Sequence, residues 1–459
     1  AYEYLARVKW LPGSRRLAVQ TLNREQTRLD LYFLDRGTGE AQRVLTETDP
    51  ASINIHDDLV FLGDGRHFLW SSERDGYAHL YRYTTEGVLV NQITKGNWSV
   101  RWSGGSWVGG AVQAVDEKAG WVYFTALEKS SVERHLYRTR LDGSGLERVS
   151  REDGAHRIAL REDGRFYLDE YSNSNTPPSL SLHRADGSRV SVLAAPRTDL
   201  LAGFDLQYSA YFTVPAGDGF PMPAQILKPK DFDPTRKYPV ILYVYGGPSS
   251  PTVSDAWPPD IFFDNILLRN GFLVMRVDNR SATAISKTLE ATIQKQMYGT
   301  HELEDLLAGV RWLKSQPYVD PERVGIWGWS GGGTFTLLAM TRSTEFKAGI
   351  AGAPVTDWRY YDTAWTEKTM KRPQENPQGY DETSLTKRAK DLHGRLLIIH
   401  GTYDDNVHPQ NTWHFVDELI KAGKMFDMMI YPMRKHSFTD RPARIHRAKT
   451  MIEFWKAHL

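Results

Sequence analysis

The chain has no cysteine among its 459 residues. That absence excludes disulfides, thiol nucleophiles and cysteine-ligated zinc, and it leaves the redox compartment open. Long apolar runs are missing as well. The longest candidate, IFFDNILLRNGFLVM at 261–275, is interrupted by Asp264, Asn265, Arg269 and Asn270. It falls short of the roughly 18 apolar residues a membrane helix needs, so no membrane insertion is expected. Charge of one sign is also lacking. With 57 Lys and Arg against 56 Asp and Glu, the net charge of +1 gives no reason to expect nucleic acid or an anionic membrane as a partner. The chain opens at Ala1 without a methionine or signal peptide, and the expectation is a processed or cropped protein.

What is present is ordinary for a globular protein: 41% hydrophobic and 25% charged residues, on a length that suits two or three domains. The first two hundred residues repeat. LAVQTLN (17–23), HFLWSSE (67–73), WVYFTAL (121–127) and FYLDEYS (166–172) each read as a strand. Each is followed by a second: LDLYFLD (29–35), AHLYRYT (78–84), RHLYRTR (134–140) and LSLHRAD (180–186). Glycine turns such as GDGR (63–66), LDGSG (141–145) and EDGR (162–165) punctuate them. A period of about 45 to 54 residues with a related LYF/LYR/LHR core in each second strand predicts β-propeller blades, about four of them. A β-sandwich built from generic hairpins is the alternative.

After about residue 205 the rhythm changes. YPVILYVYGG (238–247), GFLVMRVDN (271–279), RVGIWGWS (323–330), FKAGIAGAPV (346–355) and RLLIIHGTYDD (395–405) are the apolar runs of buried parallel strands. They alternate with helical patterns at 302–316, 334–343 and 411–423. This predicts a doubly wound α/β domain with a mostly parallel sheet. The chain is therefore divided into 1–204 and 205–459, the join itself being sought near KPKDFDPTRKYP (228–239) or in VPAGDGFPMPA (214–224).

Within that second half, Gly328-Trp329-Ser330-Gly331-Gly332 satisfies G-x-S-x-G at a strand-to-helix junction. Alone the pattern is weak; the flanking strand and helix make it a nucleophile elbow, with Ser330 on the turn. A serine hydroxyl needs a base. In α/β-hydrolases the chain order is Ser, then acid, then His. Asp404, in GTYDDNVHP, and His436, in RKHSFTD, fall where that order requires. Asp405 could instead be the acid, and His408 or His446 the base. A metal cluster of His400, Asp404 and His408 is disfavoured by its spacing. Oxyanion donors would be the Gly331 N–H and a group from VYGGPSS (244–250), where Tyr245 offers a phenol, unless it is simply a packed surface tyrosine.

VYGGP, WGWSGGG, APVTDWRYYDTAWTE (353–367) and HGTYDDNVHPQN (400–411), with the late His436, resemble the dipeptidyl peptidase IV branch of the prolyl oligopeptidase family. The resemblance implies an α/β-hydrolase preceded by an all-β propeller, here incomplete, and cleavage of dipeptides from peptide N-termini, preferably X-Pro or X-Ala. It implies the triad Ser330, Asp404 and His436 and the oxyanion tyrosine Tyr245. It places Val355, Trp358, Tyr361, Trp365 and Val407 around a proline pocket, and Asn406 on a substrate carbonyl. Aromatic faces suit a flat pyrrolidine ring. It implies no metal or organic cofactor, peptide substrates with a free N-terminus, a homodimer, and a periplasmic or secreted location with the cytoplasm still open.

Four departures from the family pattern stand out. Gly331 lies where the family often has tyrosine, so the N–H survives while local rigidity is in doubt. Trp365 replaces a tyrosine, Ser437 stands where glycine is common, and NRSATAISK (279–287) is poor in glycine. By resemblance Ala1 aligns near the middle of the propeller. The expectation is that about four blades, with the paired glutamates that hold the substrate amine, lie on a missing segment or separate chain; the alternative is a family member that lacks this amine anchor. The rival functions are an oligopeptidase, acylaminoacyl peptidase or esterase with the same triad, and an inactive hydrolase whose propeller binds proteins.

Overall fold

The computed structural model describes residues 2–102, 109–161 and 163–459; Ala1 and Glu162, the latter opening the expected EDGR turn, lie outside them. The chain divides into two compact units. The first comprises 1–203 with 254–257 and 284–291, and the second 204–253, 258–283 and 292–459.

The first unit holds four sheets of four antiparallel strands, each in simple consecutive order. They are β1–β4 (Tyr4–Trp10, Arg16–Leu22, Arg28–Asp35, Ala41–Thr48) and β5–β8 (Val60–Phe61, His67–Ser72, His79–Thr84, Leu89–Gln92). Then come β9–β12 (Val112–Asp116, Trp121–Ala126, His135–Arg140, Glu147–Arg148) and β13–β16 (Ala155–Leu160, Phe166–Asn173, Thr176–Arg184, Arg189–Ala194). Each sheet buries apolar side chains against the next. Phe33 of the first meets Phe68 of the second, and Leu69 and Leu80 of the second share a core with Val122 and Phe124 of the third. Consecutive four-stranded sheets stacked face to face are propeller blades. The two inner strands of every blade are those expected from the sequence; the flanking strands are additions. The short segment 284–291 is pinned in this unit by Lys287, whose Nζ lies 3.5 Å from Glu290 and 3.9 Å from Glu73.

The second unit is built on one eight-stranded sheet. Its strands are β17 (Ala210–Pro215), β18 (Pro221–Leu227), β19 (Tyr238–Tyr243), β20 (Leu273–Val277), β21 (Val319–Trp329), β22 (Ala348–Gly352), β23 (Arg395–Gly401) and β24 (Asp427–Tyr431). Their order is β17-β18-β20-β19-β21-β22-β23-β24. All pairings from β20 to β24 are parallel, and β17 and β18 are antiparallel. The stretch 214–224, expected as a join, instead holds the turn of the β17–β18 hairpin, with Val214, Met222 and Ala224 buried in this sheet. Leu273–Val277 is buried at every position, as a central parallel strand covered on both faces must be. The run 261–275, read only as an interrupted apolar stretch, is a helix (Ile261–Arg269), a turn and β20; Asp264 and Arg276 within this region pair at 2.8 Å in the interior.

Candidate active site

β21 ends at Trp329 and the helix Gly331–Arg342 begins two residues later, leaving Ser330 alone on the turn. Its φ of 60° and ψ of −122° lie in a region that side-chain-bearing residues rarely occupy. The surroundings hold it there. Its N–H donates to the Gly352 carbonyl of β22 at 2.8 Å, and its carbonyl accepts the Thr334 N–H at 3.0 Å. A Cβ at Gly328 or Gly332 would overlap the Val244 carbonyl oxygen, so glycine is required for the elbow to pack against the loop after β19. A strained, over-determined turn of this kind makes Ser330 a candidate functional residue.

The sequence places Asp404 and His436 32 positions apart, and the fold brings them to 2.7 Å, Oδ2 to Nδ1. Asp404 follows β23 and is buried; His436 follows β24 and remains partly exposed. The other carboxylate oxygen, Oδ1, accepts the N–H groups of Asn406 at 3.1 Å and Val407 at 2.9 Å. Burial alone would raise the pKa of Asp404. The hydrogen bonds from His400 and His436 outweigh it and hold the carboxyl well below its usual range. Trp329 ties the histidine loop to the elbow, its Nε1–H donating to the His436 carbonyl at 2.9 Å.

The other acid and the other histidines are engaged elsewhere. Asp405 is exposed and pairs with Lys435 at 2.7 Å. The ring of His446 meets the Tyr431 hydroxyl at 2.9 Å. His408 lines an open groove with Tyr403, Asp405 and Trp413. His400 is buried between Thr412 and the Val407 carbonyl, 3.2 Å from Asp404. Among the described residues no cluster of three or more His, Asp or Glu is arranged to hold a metal.

Tyr245, on the loop after β19, is half-buried with its phenol beside Ser330. Burial raises its pKa and the contact with Ser330 lowers it; the net shift is upward, so the hydroxyl stays a donor. The Gly331 N–H lies in the first turn of the following helix, where amides have no partner within the helix.

Beside this group lies an aromatic corner. Trp358 is buried, and Tyr361 and Trp365 are partly so. Trp365 stands on a helix (Thr363–Met370) capped by Asp362. The ring centroids are 6.1 Å apart for Trp358–Tyr361, 5.6 Å for Trp358–Trp365 and 5.3 Å for Tyr361–Trp365. The tilted and edge-on geometry is the favoured one for aromatic pairs. The Tyr361 hydroxyl donates to Asn406 Oδ1 at 2.8 Å, and burial pushes that phenol up to about 12. Val355 and Val407 are buried beneath; Val355 exchanges hydrogen bonds with the Thr334 hydroxyl at 2.9 Å. The structure adds three residues the sequence reading did not single out: Trp329 and Thr334 as ties, and Tyr298, which stacks on Trp358.

A mostly parallel sheet with a serine on the β21 elbow, and an Asp–His pair on the loops after later strands, defines an α/β-hydrolase. Comparison with known proteins carries this further. Residues 262–459 match the model of the prolyl oligopeptidase family, and residues 1–178 that of the dipeptidyl peptidase IV N-terminal region. A probable dipeptidyl-aminopeptidase B of Emericella nidulans is 34% identical over 461 residues, covering 95% of this chain and 49% of that protein. Dipeptidyl peptidase 8 of Mus musculus is 32% identical over 529 residues, covering 100% and 58%. The crystal structure of dipeptidyl peptidase 4 from Porphyromonas gingivalis matches with a TM-score of 0.92 at 32% identity, covering 99% of this chain and 64% of that one. The chain spans about half the length of the curated relatives it matches. It belongs to the dipeptidyl peptidase IV branch of the prolyl oligopeptidase family.

Proposed function

We propose that this chain carries the catalytic centre of a serine exopeptidase that releases N-terminal dipeptides through an acyl-enzyme, with X-Pro or X-Ala preferred. The 2.7 Å hydrogen bond between Asp404 and His436, tied to the Ser330 elbow, carries the reading. With Nδ1 committed to Asp404, Nε2 of His436 is the nitrogen available for the Ser330 proton. Ser330 Oγ attacks the scissile carbonyl carbon as His436 takes that proton. The Tyr245 hydroxyl and the Gly331 N–H face the developing oxyanion. His436 then protonates the leaving amine, and water, deprotonated in turn, releases the dipeptide.

The aromatic corner supports the proline preference. Trp358, Tyr361 and Trp365 offer flat apolar faces with Val355 and Val407 behind them, while Asn406 is positioned for a substrate carbonyl. In this reading residues 1–204 supply the propeller portion and 205–459 the catalytic domain. The relatives' names, dipeptidyl-aminopeptidase and dipeptidyl peptidase, point the same way.

A homodimer is part of the proposal. Exposed Trp413 and Ile420 on the helix Gln410–Lys421, with Met425 and Met428 beside or on the edge strand β24, make an apolar strip on the second unit. Sedimentation equilibrium showing only monomer at micromolar concentration would remove it. Among the described residues no helix is long and apolar enough to cross a membrane. A periplasmic or secreted location rests on the family resemblance and is checked by fractionating the native source.

The activity is tested with Gly-Pro-p-nitroanilide and its N-acetylated form. Release of nitroaniline from the free-amine substrate alone is expected. Preference for the acetylated one would favour an acylaminoacyl peptidase.

A further inference from the structure

The family pattern leaves a gap in this chain, since Gly331 has no side chain to brace the elbow. The structure fills that space from elsewhere. Tyr298 is fully buried, with its hydroxyl wedged between Gly331 and Gly247. A Cβ at Gly331 would overlap the Tyr298 hydroxyl oxygen, and one at Gly247 would lie 3.0 Å from it. From there the hydroxyl donates to the backbone carbonyl of Tyr245 at 2.9 Å. The ring is clamped by Trp358, stacked at 5.6 Å, and by Phe335, edge-on at 5.8 Å.

The backbone at Tyr298 is strained, with φ of 52° on a bulky residue. Two N–H groups, of Tyr298 at 2.6 Å and Gly299 at 3.1 Å, hold it by donating to the buried Glu302 carboxyl. Such strain survives only where the surroundings enforce it, and here they aim one hydroxyl at one carbonyl. That carbonyl belongs to the residue whose phenol lies beside Ser330. The chain just after it, Gly246-Gly247, has no side chains of its own to anchor it.

We propose that Tyr298 is a positioning residue that fixes Tyr245 for oxyanion stabilisation, in place of a side chain at position 331. The proposal rests on the serine-peptidase reading above. Tyr298 touches no reacting atom. It acts through the Tyr245 backbone, setting where the phenol stands relative to Ser330.

The test is a double-mutant cycle on Gly-Pro-p-nitroanilide hydrolysis by the full enzyme, with fluorophosphonate labelling of wild-type Ser330 as the first control. If the wild type neither labels nor turns over, the peptidase reading fails and the cycle has nothing to act on. If it does both, Tyr298→Phe removes the hydrogen bond and keeps the ring. Its kcat should fall about ten- to a hundredfold with KM within about twofold, the scale of a displaced oxyanion donor. In the Tyr245→Phe background the same change should cost less than about twofold, because its target is already gone. A purely structural tyrosine would give the same loss in both backgrounds, which overturns the proposal, as does an unchanged kcat in the single variant. Gly331→Ala approaches the contact from the other side. It should lower kcat by displacing the hydroxyl, and Tyr298→Phe should recover part of that loss. An equal loss from Gly331→Ala with either residue at 298 counts against the proposal.

Discussion

Replacing Asp404 by asparagine tests the site most directly, because the surroundings dictate how the new amide must sit. Oδ1 of Asp404 accepts two backbone N–H groups, from Asn406 and Val407, and no NH2 can take its place there. The asparagine carbonyl is therefore forced into that position, and its NH2 occupies the place of Oδ2, 2.7 Å from His436 Nδ1. An NH2 there can only donate. It demands that Nδ1 be an acceptor, which moves the imidazole proton to Nε2, where it faces the serine. The base is then unable to take the Ser330 proton. The expected loss in kcat is about 10⁴-fold, or ~5.4 kcal/mol, the magnitude known for the same change in a serine protease triad. KM should move little, because the hydrogen bonds that hold the pocket residues Asn406 and Val407 are kept. Stability should hold, since both backbone hydrogen bonds are retained.

The assay is steady-state hydrolysis of Gly-Pro-p-nitroanilide, with a thermal melt as the folding control and Asp405→Asn beside it. Asp405 is exposed and bonded to Lys435, so its variant should stay within about twofold of wild type. A folded Asp404→Asn enzyme that keeps a tenth of wild-type turnover would refute the tautomer argument. So would an Asp405→Asn variant with the larger loss.

Ser330→Ala should abolish fluorophosphonate labelling and lower turnover by several orders of magnitude with the melt unchanged; label on another serine would move the elbow. Tyr361→Ala should weaken transition-state binding by about 1–3 kcal/mol for a proline substrate and by less for an alanine one, and equal losses in kcat/KM would put its ring outside the pocket. Burial pushes Glu302 from 4.5 up to about 7. The folded state then keeps a proton that the unfolded chain has released, so stability should fall by up to roughly 3 kcal/mol as pH rises from about 4.5 to 7, and a urea-melt series in which it rises over that window would contradict this. Asp264→Ala strands Arg276 in the interior and should cost about 3–5 kcal/mol, which denaturant titration reads directly.

Much of this molecule was legible before any coordinates, and the exceptions share a cause. The inner strands of each blade were visible because runs rich in apolar and aromatic residues recur at a regular spacing between glycine turns. Two of the flanking strands, Val60–Phe61 and Glu147–Arg148, are only two residues long and carry no pattern of their own. Asp264 read only as an interruption of an apolar run because sequence cannot show that it and Arg276, twelve positions apart, neutralise each other. Ser330, Asp404 and His436 were readable because each follows a strand of strong apolar character. Tyr298 was not: it sits in QKQMYGT, which has no periodicity, and its hydrogen-bond acceptor lies 53 residues upstream. Positions fixed by motif survive in one dimension, whereas a contact such as that of Tyr298 is set by which distant backbone a side chain happens to meet.

The buried acids of the second unit show why burial alone would have been a poor guide to the site. Asp264 answers a guanidinium that keeps its charge at every relevant pH. Asp278, pushed up to about 6 by burial, accepts the N–H groups of Thr252 and Val253 and the Thr252 hydroxyl. Glu302 likewise faces backbone amides. None of these partners changes its protonation state, so each of these acids fixes geometry and nothing more. Asp404 divides its oxygens differently. One is held by amides as rigidly as in the others, and the second meets an imidazole on a partly exposed loop. That partner can gain a proton and return it while the carboxylate, held well below its usual range, stays charged throughout. A fixed charge beside an imidazole is what the proposed general-base chemistry on Ser330 requires, and among these four acids only Asp404 has it.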